Sequence, residues 1–394
     1  MRFRAKLCTE RARKAATVLV LYAGVDLVQE SEGNPVKIVL FDEVVERHVC
    51  VALEGSLRAL GHEVVSTGPV WHGHRFTTST RDIERIDAVV ETVLAGRPDA
   101  LLNFRASALS EAQISRLKAA GIQTIVWLPD DPVLYEVTYR HVVDCYDHVL
   151  HCGSTPVLDF YQARGHQPGI NMPFWIDPNI WSYTGEATAS TPRRDLVFIG
   201  NLHTTAKKDR YKLLSQASDR ICVYGKVLND PYGMHKGELY GVPALLAVLP
   251  HFVAGLNLPQ VFADYAGSAY DFKALPKLGW FDLPSRVIQY AAVGLPVITR
   301  APPSQHAPWA LYAQDMNEVL SLVDSLKIGS RREEVRRAAR LAVEANFSSD
   351  SRARLLSELV SGRIPTRQLS LNAREFVYQD FQDREVIGEP ESSY

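Results

Sequence analysis

The sequence lacks the marks of several large classes of protein. No apolar run reaches the roughly 20 residues that span a bilayer. The five cysteines form no C-x-x-C pair, which argues against a zinc site or a disulfide framework and favours a reducing cytoplasm. A formal net charge of −2 gives no overall attraction to nucleic acid or to anionic membranes. We therefore expect a cytoplasmic globular protein without a cysteine-bound zinc site.

The first residues of the sequence partly resemble a targeting segment. The stretch "MRFRAKLCTERARKAATVLVLYAG" is basic and then apolar, as in a secretory signal. Its apolar part is short, however, and no A-x-A cleavage site follows. We interpret it as a basic segment before a core strand over 17–23, with weak contact to a membrane surface as the alternative.

Length and periodicity predict the fold class. A chain of 394 residues exceeds one average core, and its hydrophobic content of 46% is that of a globular protein. Short β-branched runs alternate with helical patterns, which indicates βαβ units and parallel sheets. We predict an α/β protein with two Rossmann-like parallel-sheet domains facing a cleft. The predicted segments are a first domain over 1–175, a linker over 176–194, a second domain over 195–345, a helix over 346–362 that could cross back to the first domain, and a polar tail over 363–394.

Polar and glycine residues follow the strands of the second domain. Ligands of open parallel sheets bind at the carboxyl ends of the strands, so the loops there carry the candidate site. The first such loop contains Gly200 and Asn201, and Lys207 lies at the start of the next helix. A helix N-terminus with nearby cations suits a phosphate, although a lysine there is also typical of a solvated face. The phosphate-binding pattern G-x-x-x-x-G-K-[ST] itself is absent.

Two further strands end in the same way. "VYGK" places Gly225 and Lys226 after one strand, and "GLNL" places Asn257 at the end of the next. Then "RVIQYAAVGLPVITR" carries Arg286 and Gln289 one turn apart on a helix. Arginine suits a phosphate and an amide can pair with ribose hydroxyls, although this face is also typical of a packed helix. Because these groups follow successive strands, we favour a nucleotide site.

Several of these segments resemble a known group of enzymes. "DLVFIGN", "VYGK", "LPSRVIQYAAVGLPVIT" and "RREEVRRAARLAVEANF" occur in the order found in the carboxy-terminal half of GT-B glycosyltransferases. The resemblance is nearest to the CgeB-like (spore maturation protein) group and more distant to glycosyltransferase family 4. It implies that Arg286 meets the diphosphate of a nucleotide sugar and that Gln289 stands where a glutamate grips the ribose. Phe281 stands where many family 4 members have an acidic residue.

The first half offers candidates for the catalytic group. "WLPDDP" resembles the tryptophan and paired aspartates of CgeB-like proteins, and it places Asp130 and Asp131 after a strand. A carboxylate there could deprotonate an acceptor hydroxyl, although Asp131 could equally cap a helix. "VWHGHRF" adds His72 and His74, as bases or as two ligands of an incomplete metal site. Asp42, Glu43 and Arg105 also follow strands, with weaker claims to a role.

The resemblance implies a metal-independent glycosyltransferase that needs no cofactor. Its donor would be a nucleotide-diphosphate sugar, UDP- or GDP-linked, and its acceptor is not identified by the sequence. Two alternatives stay open: a nucleotide-sugar epimerase of the UDP-N-acetylglucosamine 2-epimerase type, and an inactive protein that binds nucleotide or sugar. The replacement of glutamate by Gln289 is the main argument for the inactive protein.

Overall fold

The computed structural model describes most of the chain between residues 35 and 362. The described residues are 35–42, 47–71, 73, 75–129, 131, 134–152, 155–181, 194–202, 208–258, 283–300, 307 and 309–362. The predicted strand over 17–23, most of the predicted linker and the predicted tail lie outside them.

The first sheet contains six parallel strands in the order β2-β1-β3-β4-β5-β6. The register pairs Phe41 of β1 with Asn103 of β3, and Leu128 of β4 with His151 of β5. The strands are almost continuous apolar runs because helices cover both faces of a parallel sheet. Their bounds are β1 Lys37–Phe41, β2 Glu63–Ser66, β3 Ala100–Asn103, β4 Gln123–Leu128, β5 His148–His151 and β6 Ile170–Asn171.

The second sheet contains five parallel strands in the order β11-β10-β9-β7-β8. The central strand β9 is fully buried and pairs with β7 on one side and β10 on the other. The strand bounds are β7 Arg194–Ile199, β8 Ile221–Tyr224, β9 Phe252–Asn257, β10 Val297–Thr299 and β11 Leu311–Tyr312. The predicted fold class, two Rossmann-like parallel sheets, is confirmed.

Helices connect most of the strands. The local pattern over 133–144 predicts a regular helix, but this prediction is wrong: a π-helical turn at Tyr135–Tyr139 leads into a short α-turn at Arg140–Val142 and a 3-10 turn at Val143–Cys145. The helix bounds are α1 Arg47–Ala59, α2 Thr80–Gly96, α3 Glu111–Ala119, α4 Thr155–Gln162, α5 Lys208–Ser215, α6 Val242–Val248, α7 Ser285–Ala292, α8 Met316–Leu326, α9 Gly329–Asn346 and α10 Ser349–Val360.

The last described helix, α10, packs against α1 beside the first sheet. The Ser56 hydroxyl of α1 donates a hydrogen bond to Asp350 Oδ1 at 2.7 Å and lies within hydrogen-bond distance of Ser349 Oγ at 2.8 Å. Leu356 and Leu359 of α10 join the hydrophobic core around Trp175. Helix α9, which precedes α10, instead belongs to the core of the second sheet.

Two arginines of α9 fix the end of α7, the helix that carries Arg286. Arg336 Nε donates to the carbonyl of Gly294 at 2.8 Å. Arg340 donates to the carbonyls of Ala292 and Trp181. The last carbonyls of a helix have no partner within it, so buried cationic donors stabilise this end. The position of α7 is therefore set by packing from α9.

Gly255 provides a test of how tightly α7 packs on the second sheet. A Cβ at Gly255 would lie 2.4 Å from the ring of Tyr290, which is fully buried. We expect Gly255→Ala to lower the free energy of unfolding by about 1–3 kcal/mol, the usual cost of overpacking a core. Urea denaturation measures the loss. Gly96→Ala is the control, because no atom lies within 4 Å of its Cβ position; equal stability of the two variants would contradict the packing.

His148 at the start of β5 makes the stability of the protein depend on pH. Burial lowers the pKa of the His148 imidazole below its ordinary value of 6.5. The unfolded chain therefore binds this proton more readily than the folded protein, and the free energy of unfolding falls as the pH drops below about 6.5. Denaturation between about pH 5 and 8 measures this. In His148→Gln the free energy of unfolding should depend less steeply on pH than in wild type. An unchanged pH-dependence would contradict the role of His148.

Candidate functional site

Both sheets have a point at which the strand order reverses. In the first sheet β1 is flanked by β2 and β3, and in the second β7 is flanked by β8 and β9. Successive crossovers run in opposite directions from such a strand, which opens a crevice at its carboxyl end. Candidate ligand positions are therefore the ends of β1 and β3 and the ends of β7 and β9.

The loops after β7 and β8 are in direct contact. Gly225 has a φ of +134°, and a Cβ there would lie 2.5 Å from the carbonyl oxygen of Gly200. Asn201 Oδ1 accepts a hydrogen bond from the Lys226 backbone N–H at 2.9 Å, while the Lys226 side chain is exposed. Gly225 is thus needed for the close approach of the two loops to each other, and Asn201 holds them together.

Helix α7 brings Arg286 to this pair of loops. The Tyr290 hydroxyl accepts a hydrogen bond from the Ile199 backbone N–H at 2.9 Å, which fixes α7 over the end of β7. Arg286 then lies with its guanidinium 5.4 Å from the centre of the Phe198 ring, and its Nη1 is 3.6 Å from the Cβ position of Gly200. Nη1 is buried and has no hydrogen-bond acceptor among the described residues. A buried guanidinium nitrogen without an acceptor is suited to an anionic ligand.

Asn257 presents an unused acceptor at the end of β9. Its Nδ2 donates to Thr299 Oγ1 at 3.1 Å, and its Oδ1 is buried without a donor in the described part of the chain. Gln289 is also buried, and its amide makes no hydrogen bond to a described side chain or backbone group. Arg286, Asn257 and Gln289 therefore offer both donors and acceptors to a ligand. Lys207 lies outside the described residues.

Asp131 lies in a buried network that the sequence did not indicate. The residue is 2% exposed. Its Oδ2 shares a hydrogen bond with His151 Nδ1, and its Oδ1 accepts one from the Tyr161 hydroxyl at 2.8 Å. Burial, followed by the charge of Asp131, raises the pKa of Tyr161 well above its ordinary value. Both carboxylate oxygens thus have fixed partners.

The sequence contained only a partial signal for this network. His151 is visible as a polar residue at the end of β5, but nothing nearby links it to Asp131. The helix-capping alternative for Asp131 is wrong, because the following turn begins at Tyr135 and has Leu134 at its N-cap position. Asp130 lies outside the described residues.

A second anchored loop lies at the ends of β1 and β3. Asp42 Oδ1 accepts hydrogen bonds from the backbone N–H groups of Val70 and Trp71, both at 2.7 Å. Ser107 Oγ donates to the Gly73 carbonyl at 2.7 Å. Arg105 lies beside Asp42, with 3.5 Å between its Nε and the Asp42 Oδ2. These contacts hold the loop that carries His72 and His74, which themselves lie outside the described residues, as does Glu43.

Neither a metal-binding cluster nor a membrane-spanning helix occurs among the described residues. Within the ranges given above, no group of three or more His, Cys, Asp or Glu side chains is placed to bind a metal ion. The helices with described positions include none with the length and apolar character of a membrane span.

Comparison with known proteins identifies the fold. No protein-family model matches the chain. No curated protein matches it by sequence. Among solved structures, a trehalose-6-phosphate synthase studied with bisubstrate glycomimetics is similar with a TM-score of 0.54 and 11% identity, over 83% of this chain and 99% of its own. The fold is GT-B.

A second similar structure is described as a different kind of enzyme. It is described as a UDP-N-acetylglucosamine 2-epimerase from Listeria monocytogenes, and it is similar with a TM-score of 0.51 and 12% identity, over 83% of this chain and 96% of its own. At these identities the likeness extends to the GT-B fold alone. The CgeB-like and family 4 assignments stay predictions.

Proposed function

We propose that the protein is a glycosyltransferase that uses a nucleotide-diphosphate sugar. The observation that carries the proposal is Arg286, whose buried Nη1 lacks an acceptor among the described residues and lies beside Gly200. The GT-B fold, found in a trehalose-6-phosphate synthase, supports it. In this proposal the diphosphate of a UDP- or GDP-sugar binds at Arg286.

The proposed roles follow from the charges that develop during transfer. The departing nucleoside diphosphate gains negative charge, which a guanidinium already in place can stabilise without a metal. Asn257 Oδ1 would accept a hydrogen bond from a sugar or base donor, and Gln289 would bind the ribose. Gly200, Asn201, Gly225 and Lys226 would form the floor of the donor site, with Lys207 near the phosphates. Asp130, His72 and His74 stay the candidate catalytic residues, whereas both carboxylate oxygens of Asp131 are already engaged by His151 and Tyr161.

A thermal-shift panel tests the donor site. UDP, GDP, TDP and ADP are each added to the full chain, and the melting temperature is measured. A ligand that binds only the folded protein raises that temperature. We expect at least one of the four to do so in a concentration-dependent manner. If none of them shifts the melting temperature, the proposed donor site is wrong.

A nucleotide-sugar epimerase is the second candidate. The similarity to a structure described as a UDP-N-acetylglucosamine 2-epimerase favours it, at nearly the TM-score found for the synthase. The products separate the two candidates. A transferase releases nucleoside diphosphate and moves the sugar to an acceptor or, slowly, to water, whereas an epimerase changes the configuration of the sugar.

A further inference from the structure

We propose that Arg105 binds an anionic group of the acceptor, a phosphate or a carboxylate, so that the acceptor is an acidic molecule. The proposal rests on the proposed function in one respect, since it takes the second substrate to bind at the first sheet. It is carried by a different residue, in a different sheet, from the donor site at Arg286.

Arg105 lies at the reversal point of the first sheet. It comes two residues after β3, and its own N–H is held by Asn103 Oδ1 at 3.0 Å. Strand β3 is paired with β1, and the Phe104 N–H donates to the Phe41 carbonyl at 3.0 Å. Arg105 and Asp42 are therefore neighbours at the carboxyl ends of two adjacent strands, where ligands of open parallel sheets bind.

The guanidinium of Arg105 is largely buried, and none of its nitrogens donates a hydrogen bond to another described residue. Only 13% of the side chain is exposed. Its Nε is fully shielded and donates to no described acceptor, and its terminal nitrogens make no hydrogen bond to the rest of the described chain. Buried polar groups in native proteins are nearly always hydrogen-bonded, because a buried donor without an acceptor is destabilising. A guanidinium of this kind is suited to bidentate hydrogen bonding with a phosphate or a carboxylate.

The neighbouring Asp42 does not satisfy this guanidinium. The 3.5 Å between Arg105 Nε and Asp42 Oδ2 permits charge attraction but exceeds the usual length of a charged hydrogen bond. The other oxygen of Asp42 is engaged by Val70 and Trp71. Asp42 also has a φ of +56°, a backbone conformation that is costly for a residue with a Cβ and recurs at functional sites. We assign to Asp42 the task of holding the loop and orienting Arg105.

Inorganic phosphate and acetate are the probes, and Arg286→Ala is the background. Removing Arg286 eliminates the proposed donor-side anion site, so that a remaining anion response must come from elsewhere. The full chain is titrated with each anion at constant ionic strength, and the melting temperature and heat of binding are recorded. We expect one of the anions to bind, and Arg105→Gln in this background to weaken that binding about tenfold or more, as for the loss of charged hydrogen bonds.

Two further variants keep the test decisive. Arg105→Lys retains the positive charge beside Asp42, so this variant should fold normally. It should still bind the anion more weakly, because lysine lacks the planar guanidinium that makes two parallel hydrogen bonds. If Arg105→Gln does not fold, the anion affinity of Arg105→Lys tests the proposal instead. Arg337→Ala removes an exposed arginine and should leave anion binding unchanged. Loss of phosphate binding alone indicates a phosphorylated acceptor, and loss of acetate binding alone indicates a carboxylate.

Two results would contradict the proposed role of Arg105. If neither anion binds in the Arg286→Ala background, or if binding is the same with and without Arg105, the proposal is overturned. Failure of the proposed function is read separately, from nucleoside diphosphates added to the unmutated protein.

Discussion

Replacement of Arg286 by alanine should weaken nucleoside-diphosphate binding about 10- to 150-fold. This range corresponds to the roughly 1.5–3 kcal/mol that hydrogen bonds to charged groups contribute. Arg286 Nη1 is buried beside Gly200 with no acceptor in the described structure, so its hydrogen bonding is available to a ligand. Titration of the responsive nucleotide from the thermal-shift panel into wild type and variant measures the change.

Two variants control this experiment. Arg286→Lys keeps the charge but not the planar fork, and we expect an intermediate affinity. Arg337→Ala removes an exposed arginine of α9 and should bind like wild type. The unliganded Arg286→Ala protein should melt close to wild type, because Nη1 loses no hydrogen bond to a described residue. Wild-type affinity in Arg286→Ala would refute the diphosphate contact.

Replacement of Asp131 by alanine should lower the free energy of unfolding by about 3 kcal/mol. The change leaves His151 and the Tyr161 hydroxyl without their shared partner, and each unmet buried group costs about 1–3 kcal/mol. Chemical denaturation monitored by circular dichroism measures the loss. A stability equal to that of wild type would show that Asp131 is an open loop carboxylate and not the centre of a buried network.

Matched variants separate the network from a simple loss of charge. Asp131→Asn keeps the size and one acceptor oxygen, so its loss of stability should be smaller. Tyr161→Phe removes one hydroxyl and should also be milder. Because the two residues share one hydrogen bond, Asp131→Ala and Tyr161→Phe together should cost less than the sum of the single changes.

The second sheet shows which parts of the fold can be predicted from the sequence. Apolar runs followed by glycine, asparagine or lysine predicted the strands and the edge at which Gly200, Gly225 and Asn257 lie. The contact between Arg286 and the end of β7 could not be predicted in this way, because α7 follows β9 in the chain and reaches β7 through the hydrogen bond from the Ile199 N–H to the Tyr290 hydroxyl. Strand order depends on long-range pairing, which local patterns do not encode.

Asp131 shows a second reason why part of the candidate site could not be predicted from the sequence. The stretch "WLPDDP" has the same local pattern whether the carboxylate faces solvent or the core. Its partners His151 and Tyr161 lie 20 and 30 residues further along the chain, and only the fold brings them together. The irregular turn at Tyr135–Tyr139 has the same origin, because Tyr135 packs edge-on against Phe160 and Tyr161 and this tertiary contact overrides the local helical pattern.

We infer that this GT-B protein transfers a sugar from a nucleotide-diphosphate donor bound at Arg286. Mass spectrometry of the purified protein incubated with UDP- and GDP-sugars tests this inference. We expect release of nucleoside diphosphate with the sugar passed to water or to an acceptor, and loss of that release in Arg286→Ala. A nucleotide sugar that is epimerised and not cleaved, or that is left untouched and unbound throughout the panel, would contradict it.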